Sequence, residues 1–172
     1  MRAAFMVALL TGLRKEEIKG LRWEDYDRQQ QILNIRRTVV NRQIEHTKTK
    51  GSAAPVPVVK TVARELEAHL KRNSGDGFIF HKADQAPINF EHIVLSKVHP
   101  ACQAAGIKFH GFHALRRGLN TAMKDMGIDY TLRADIMRHE PHTVTDMHYG
   151  RASVKQMRAA LEKIEAGYLK AK

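Results

Sequence analysis

Residues 111–123, GFHALRRGLNTAM, hold the pattern from which the rest of the chain can be read. The segment predicts a helix over 112–126, preceded by glycine. At about 100° per residue, Leu115, Leu119, Ala122 and Met126 gather on one side. His113, Arg116 and Asn120 fall roughly 130° away by the same geometry. His113 and Arg116 are three residues apart and share a face. A planar guanidinium matches two oxygens of a phosphate, and an imidazole adds a hydrogen bond or a proton. An ordinary amphipathic helix with a solvated His and Arg is the competing reading, and this helix alone favours it.

Downstream, MRHEPHTVTDMHYG (137–150) places His139, His142, His148 and Tyr149 within eleven residues. The order His139-Glu140-Pro141-His142 does not match a zinc-binding helical pair, and the proline interrupts any regular helix between the two imidazoles. A phenol with histidines nearby is the other chemical reading. Tyr ionises at about pH 10 and needs assistance to act as a nucleophile. A half-buried Tyr on a short helix is the plainer alternative.

Upstream, TGLRKEEIKGLRWEDYD (11–27) sets Arg14 directly after a helix stop, at the mouth of a turn. Residues 2–10 read as a buried helix ended at Thr11-Gly12, and 15–21 as a second. QILNIRRTVV (31–40) and residues 43–48 alternate apolar and polar, as two strands of a hairpin do. PVPVV (55–59) reads as a third, edge strand, because proline is tolerated there. Lys48 and Lys50 fall in the turn between the second and third strands. From residue 60 onward the pattern is helical, with helices over 60–72, 89–105, 112–126, 130–138, 143–149 and 153–166. The expected class is α+β, mainly α, with a small three-stranded antiparallel sheet.

A chain of 172 residues suits one domain with its own core. Its 43% apolar content is ordinary, but a formal charge of +11 points to a polyanionic partner, nucleic acid or an acidic membrane surface. No apolar run approaches a membrane span. The single cysteine, Cys102, allows no internal disulfide and suits a reducing cytoplasm.

Each of these signals is weak alone, yet their order is not. The chain resembles the tyrosine recombinase, or phage integrase, family. T-G-L-R at 11–14, with Glu17, Leu21, Trp23 and Asp25, resembles its first arginine box. T-K-T-K at 47–50 followed by V-P-V at 56–58 resembles its hairpin lysine motif. H-A-L-R-R at 113–117 resembles the second box, and M-R-H at 137–139 with Thr145 and Tyr149 the third. One departure is Arg138, where the third box often has glycine before its histidine.

The resemblance implies a catalytic domain over 1–172, with the family's N-terminal core-binding domain absent from this chain. It implies Tyr149 as nucleophile, Arg14 and Arg116 as clamps on the phosphate, and Lys48 as proton donor to the leaving oxygen. It also implies that His113 and His139 support the phosphate. Arg36, Arg37, Arg42, Lys50 and Arg117 are the expected contacts to the DNA backbone. Neither metal nor other cofactor is expected. The expected partner is double-stranded DNA, bound by a homo-tetramer in the cytoplasm. The apolar stripe Val154, Met157, Leu161, Ile164 and Tyr168 either packs on this chain's own core or docks on a neighbouring protomer. A type IB topoisomerase, a non-catalytic DNA-binding protein and a zinc nuclease are the rival readings.

Overall fold

The first helix, α1 (Arg2–Thr11), buries Ala3, Ala4, Val7, Ala8 and Leu10, and the chain's other layers assemble around it in a computed structural model. The structure describes residues 1–41, 43–46, 55–73, 76–139 and 151–170. Helix α1 stops because Gly12 takes the left-handed conformation, with φ 65° and ψ 17°. That reversal buries Leu13 and starts α2 (Lys15–Gly20) at Arg14.

A three-residue 3₁₀ turn (Trp23–Asp25) leads into β1 (Tyr26–Asp27), which pairs antiparallel with β2 (Ile32–Asn34). Strand β2 pairs on its other side with β5 (Pro55–Pro57), so the prolines do lie on an edge. Strand β3 (Arg37–Val40) and β4 (Gln43–His46) form a separate two-stranded ladder.

The expected single strand over 31–40 is therefore two strands. Leu33, Ile35, Arg37 and Val39 all face inward, so the period of two runs unbroken through the division. Alternation reports which face a residue takes, whereas the change of partner at Ile35–Arg36 has no signature of its own. Strand β3 lies so close to α2 that a Cβ on Gly20 would sit 2.6 Å from the Arg37 carbonyl oxygen.

The helical half comprises α3 (Lys60–Leu70), a continuous turn of α4 (Phe90–Ile93), π-helix (Val94–Val98) and α5 (His99–Ala104), then α6 (Phe112–Asp125), α7 (Tyr130–Met137) and α8 (Val154–Lys170). Phe112 at the head of α6 joins it to α1 and α4, with ring centroids 5.0 Å from Phe5 and 4.5 Å from Phe90. The expected helix at 143–149 lies outside the described residues.

Helix α8 packs on its own chain. Met157, Ala160, Leu161 and Ile164 are buried in the common core. Its polar residues secure the same docking: Glu165 Oε1 accepts the Thr61 N–H at 2.6 Å, and Arg158 donates to the carbonyls of Val58 and Gln30 at 2.7 Å each. Of the two placements left open for this stripe, the structure takes the one in cis. Tyr168, at the far end of the stripe, is 36% exposed and stands outside that core.

Candidate active site

Helix α6 does not present its arginine as the helical wheel suggested. Its buried stripe is Phe112, Arg116, Leu119 and Met123, while Met126 is 45% exposed. Arg116 turns inward because two helix ends offer it carbonyls. Its Nη1 donates to the Gly12 oxygen and its Nη2 to the Met137 oxygen. Both carbonyls lie at helix C-termini, where carbonyls lack intrahelical partners and carry partial negative charge. Arg116 therefore ties the ends of α1 and α7 to the face of a cleft.

Burial, with Arg138 and Arg14 close by, lowers the Arg116 pKa to about 10, against the pull of Glu17. The group stays charged at neutral pH.

Arg14 approaches the same cleft from the start of α2. Its backbone N–H donates to Glu17 Oε2 at 2.6 Å, and its Nη1 meets Glu17 Oε1 at 3.1 Å. This is a capping arrangement, with an acidic residue three positions into the helix satisfying an end N–H. Glu17 is 2% exposed while the Arg14 side chain remains 43% exposed, so its guanidinium is held at one edge and open on the other.

Arg14, His113 and Arg116 line one cleft of about 360 Å³, together with Leu13, Lys15 and His110. His113, exposed in the first turn of α6, stands near the helix N-terminus, where backbone N–H groups favour an anion. The arrangement can bind a tetrahedral oxyanion by a planar fork, a second guanidinium and an imidazole.

His139 follows directly on the Met137–Arg138 turn and is exposed. Its backbone N–H donates to the Ala134 carbonyl at 3.0 Å, which closes α7 and turns the chain outward. Arg138 supplies the left-handed residue of that turn, with φ 53° and ψ 43°. A non-glycine residue there costs about 1–2 kcal/mol. Its side chain is buried against Glu17, with Nη2 2.6 Å from Oε2. Burial holds its pKa below the usual arginine value, with Glu17 opposing the shift.

The expected DNA-contacting arginines divide. Arg117 is exposed on α6 and Arg36 is more than half exposed. Arg37 is withdrawn from that set. Its guanidinium is 10% exposed and donates to Asp25 at 2.6 Å and Glu24 at 2.7 Å, so it fastens β3 to the 3₁₀ turn instead of facing outward. Burial raises the Asp25 pKa despite that partner. Arg42, Lys48, Lys50 and Tyr149 lie outside the described residues, as do His142 and His148.

His110 and the Glu17–Arg138 pair were not singled out as site residues by the sequence. A glycine-adjacent imidazole three residues before His113 was the available signal for the first. For the second it was an arginine standing where the third box often has glycine.

A mainly helical α+β domain with a small antiparallel sheet and an arginine-lined anion cleft defines the class. The model of the phage integrase family matches residues 1–156. The chain belongs to the phage integrase family. It is 24% identical over 189 residues to the "Tyrosine recombinase XerC-like" protein of Caldanaerobacter subterraneus subsp. tengcongensis, covering 94% of this chain and 48% of that protein. It is 27% identical over 171 residues to the "Prophage integrase IntF" of Escherichia coli K12, covering 97% and 34%. The chain thus spans half or less of the length of these curated relatives.

Among solved structures, the Tn1549 transposon integrase in complex with a circular intermediate DNA matches with a TM-score of 0.68 at 23% identity. That match covers 94% of this chain and 58% of that one. The integrase from mycobacterium phage Brujita matches with a TM-score of 0.66 at 21% identity, covering 94% and 50%. These two show the shared fold.

Proposed function

We propose that this chain is the catalytic domain of a tyrosine site-specific recombinase that cleaves and rejoins double-stranded DNA through Tyr149. The observation that carries this reading is the meeting of Arg14 and Arg116 with His113 in one cleft, from positions about a hundred residues apart in sequence. A phosphodiester under attack gathers negative charge on its two non-bridging oxygens. Two guanidiniums held at that cleft, Arg116 buried and Arg14 open on one edge, stabilise that charge with little reorganisation.

In this mechanism the Tyr149 phenolic oxygen attacks phosphorus and its proton passes to His113. The bond to the 5′-oxygen breaks, and Lys48 protonates the departing 5′-oxygen to give a free 5′-hydroxyl. A 3′-phosphotyrosyl link results. A 5′-hydroxyl of a partner strand then attacks that link and releases Tyr149. One phosphoester is exchanged for another at each step, so the chemistry calls for neither ATP nor metal. His139 supports the phosphate, while Arg36, Arg42, Lys50 and Arg117 contact the backbone and make binding salt-dependent. A homo-tetramer on DNA, acting in the cytoplasm, completes the reading.

Trapping on a nicked suicide duplex tests it. The expected result is a denaturation-resistant protein–DNA adduct that forms in EDTA and disappears in Tyr149→Phe. An adduct that persists in Tyr149→Phe, or one that needs a divalent metal, refutes it.

A further inference from the structure

We propose that Arg138 is a positioning residue that balances the charge of Glu17 and so leaves Arg14 free to act on a phosphate. The idea rests on the phosphate-handling cleft of the reading above. Its basis is one buried carboxylate shared by two arginines of unequal exposure.

Glu17 Oε2 accepts from the Arg14 backbone N–H and from Arg138 Nη2, both at 2.6 Å, while Oε1 takes the Arg14 guanidinium at 3.1 Å. The Arg138 side chain is 1% exposed and the Arg14 side chain 43%. Only Arg14 is both paired with the carboxylate and open to the cleft. Arg138 is wholly internal, and its Nη1 reaches no further than the Ile136 carbonyl at 3.4 Å.

A buried carboxylate needs a compensating cation. If Arg14 alone compensated Glu17, the pair would be close to neutral as seen from the cleft. With Arg138 beneath, Glu17 is compensated from inside, and the net charge of Arg14 and Arg116 faces outward. The backbone supports the same assignment. Arg138 occupies a left-handed position with φ 53° that glycine would fill without strain. The arginine side chain there does something the turn itself does not require. Its location also links the three parts of the site: Glu17 caps α2, Arg116 holds the Met137 carbonyl, and His139 follows next in the chain.

The test uses the full chain and two readouts. Inorganic phosphate is titrated while the His113 ring resonances are followed by NMR, and single-turnover cleavage is measured on a nicked suicide duplex. Arg138→Met keeps most of the volume and removes the charge. It is expected to weaken phosphate binding roughly tenfold and to slow cleavage by a similar factor or more, since one nearby charge is then uncompensated. Arg138→Lys restores part of both.

The double variant Glu17→Gln with Arg138→Met removes both charges. It is expected to bind phosphate more tightly than Arg138→Met alone, because Arg14 is again unopposed. A role for Arg138 in filling the turn, apart from its charge, predicts no such recovery. The proposal is overturned if Arg138→Met folds and binds phosphate as the parent does. It is equally overturned if the double variant binds no better than the single one. Should Arg138→Met fail to fold, tenfold-weakened phosphate binding by a folded double variant overturns it, and parent-like binding supports it. A parent chain that binds phosphate but forms no adduct refutes the recombinase reading while leaving the role of Arg138 to the titration. A parent that binds no phosphate overturns the role given to Arg138, whereas the adduct alone decides the recombinase reading.

Discussion

Shortening Leu161 to alanine tests whether the last helix belongs to this chain's core or to a neighbour's. Leu161 is 0% exposed in α8 and packs among Met157, Ile164 and the residues of α1 and α6. Removing a fully buried leucine side chain costs about 3 kcal/mol, from lost transfer energy and the cavity left behind. For a domain of this size each kcal/mol lowers Tm by about 2–4 °C, so a drop of about 6–12 °C is expected. Leu169, on the same helix but 53% exposed, is the control, and Leu169→Ala should change stability by no more than about 0.5 kcal/mol. Thermal unfolding by circular dichroism at two protein concentrations provides the assay. Cis packing predicts a large, concentration-independent drop for Leu161→Ala. A Tm within about 2 °C of the parent, or a parent Tm that rises with protein concentration, would refute the reasoning.

Arg116→Ala should lower stability as well as cleavage, because the Gly12 and Met137 carbonyls lose their shared donor, at about 1–3 kcal/mol for each buried oxygen left unpaired. Arg116→Lys keeps a cation but not the fork, and should cut single-turnover cleavage by about 10²–10³ with a smaller loss of Tm; cleavage near the parent rate would contradict the clamp. Stability should also fall as pH drops through 6.5. Burial lowers the His69 pKa from 6.5, opposed by its hydrogen bond to the Ile79 carbonyl, so the unfolded chain takes up that proton first. Urea unfolding between about pH 5 and 8 should show this slope in the parent and a flatter one in His69→Gln; equal slopes would dismiss the imidazole as its source.

The architecture was legible to the extent that local rules govern it. Gly12 ends α1 because the left-handed turn suits glycine, and the apolar spacing of α6, α7 and α8 marks them as helices. The prolines of β5 place it on an edge. Motif order also carried the family, since the spacing of Arg14, His113, Arg116 and His139 survives in one dimension. The partner change within 31–40 was hidden because inward and outward alternation is the same on both sides of it. Arg37 and Arg36 are adjacent and chemically identical, and both approach Asp25, but only Arg37 is drawn inside between Asp25 and Glu24, while Arg36 stays 57% exposed at 3.7 Å from Asp25.

By itself the sequence determined which residues are helical, which are basic, and which chemistry they suit. The tertiary structure alone decided that Arg116 turns inward to two carbonyls, that α8 closes its own core, and that Glu17 stands between Arg14 and Arg138. The reason lies in range. Helix stops and periodicity depend on neighbours within a few residues. The partner of a buried charge is set by whatever the fold brings beside it, and for Arg138 that is a carboxylate 121 residues away.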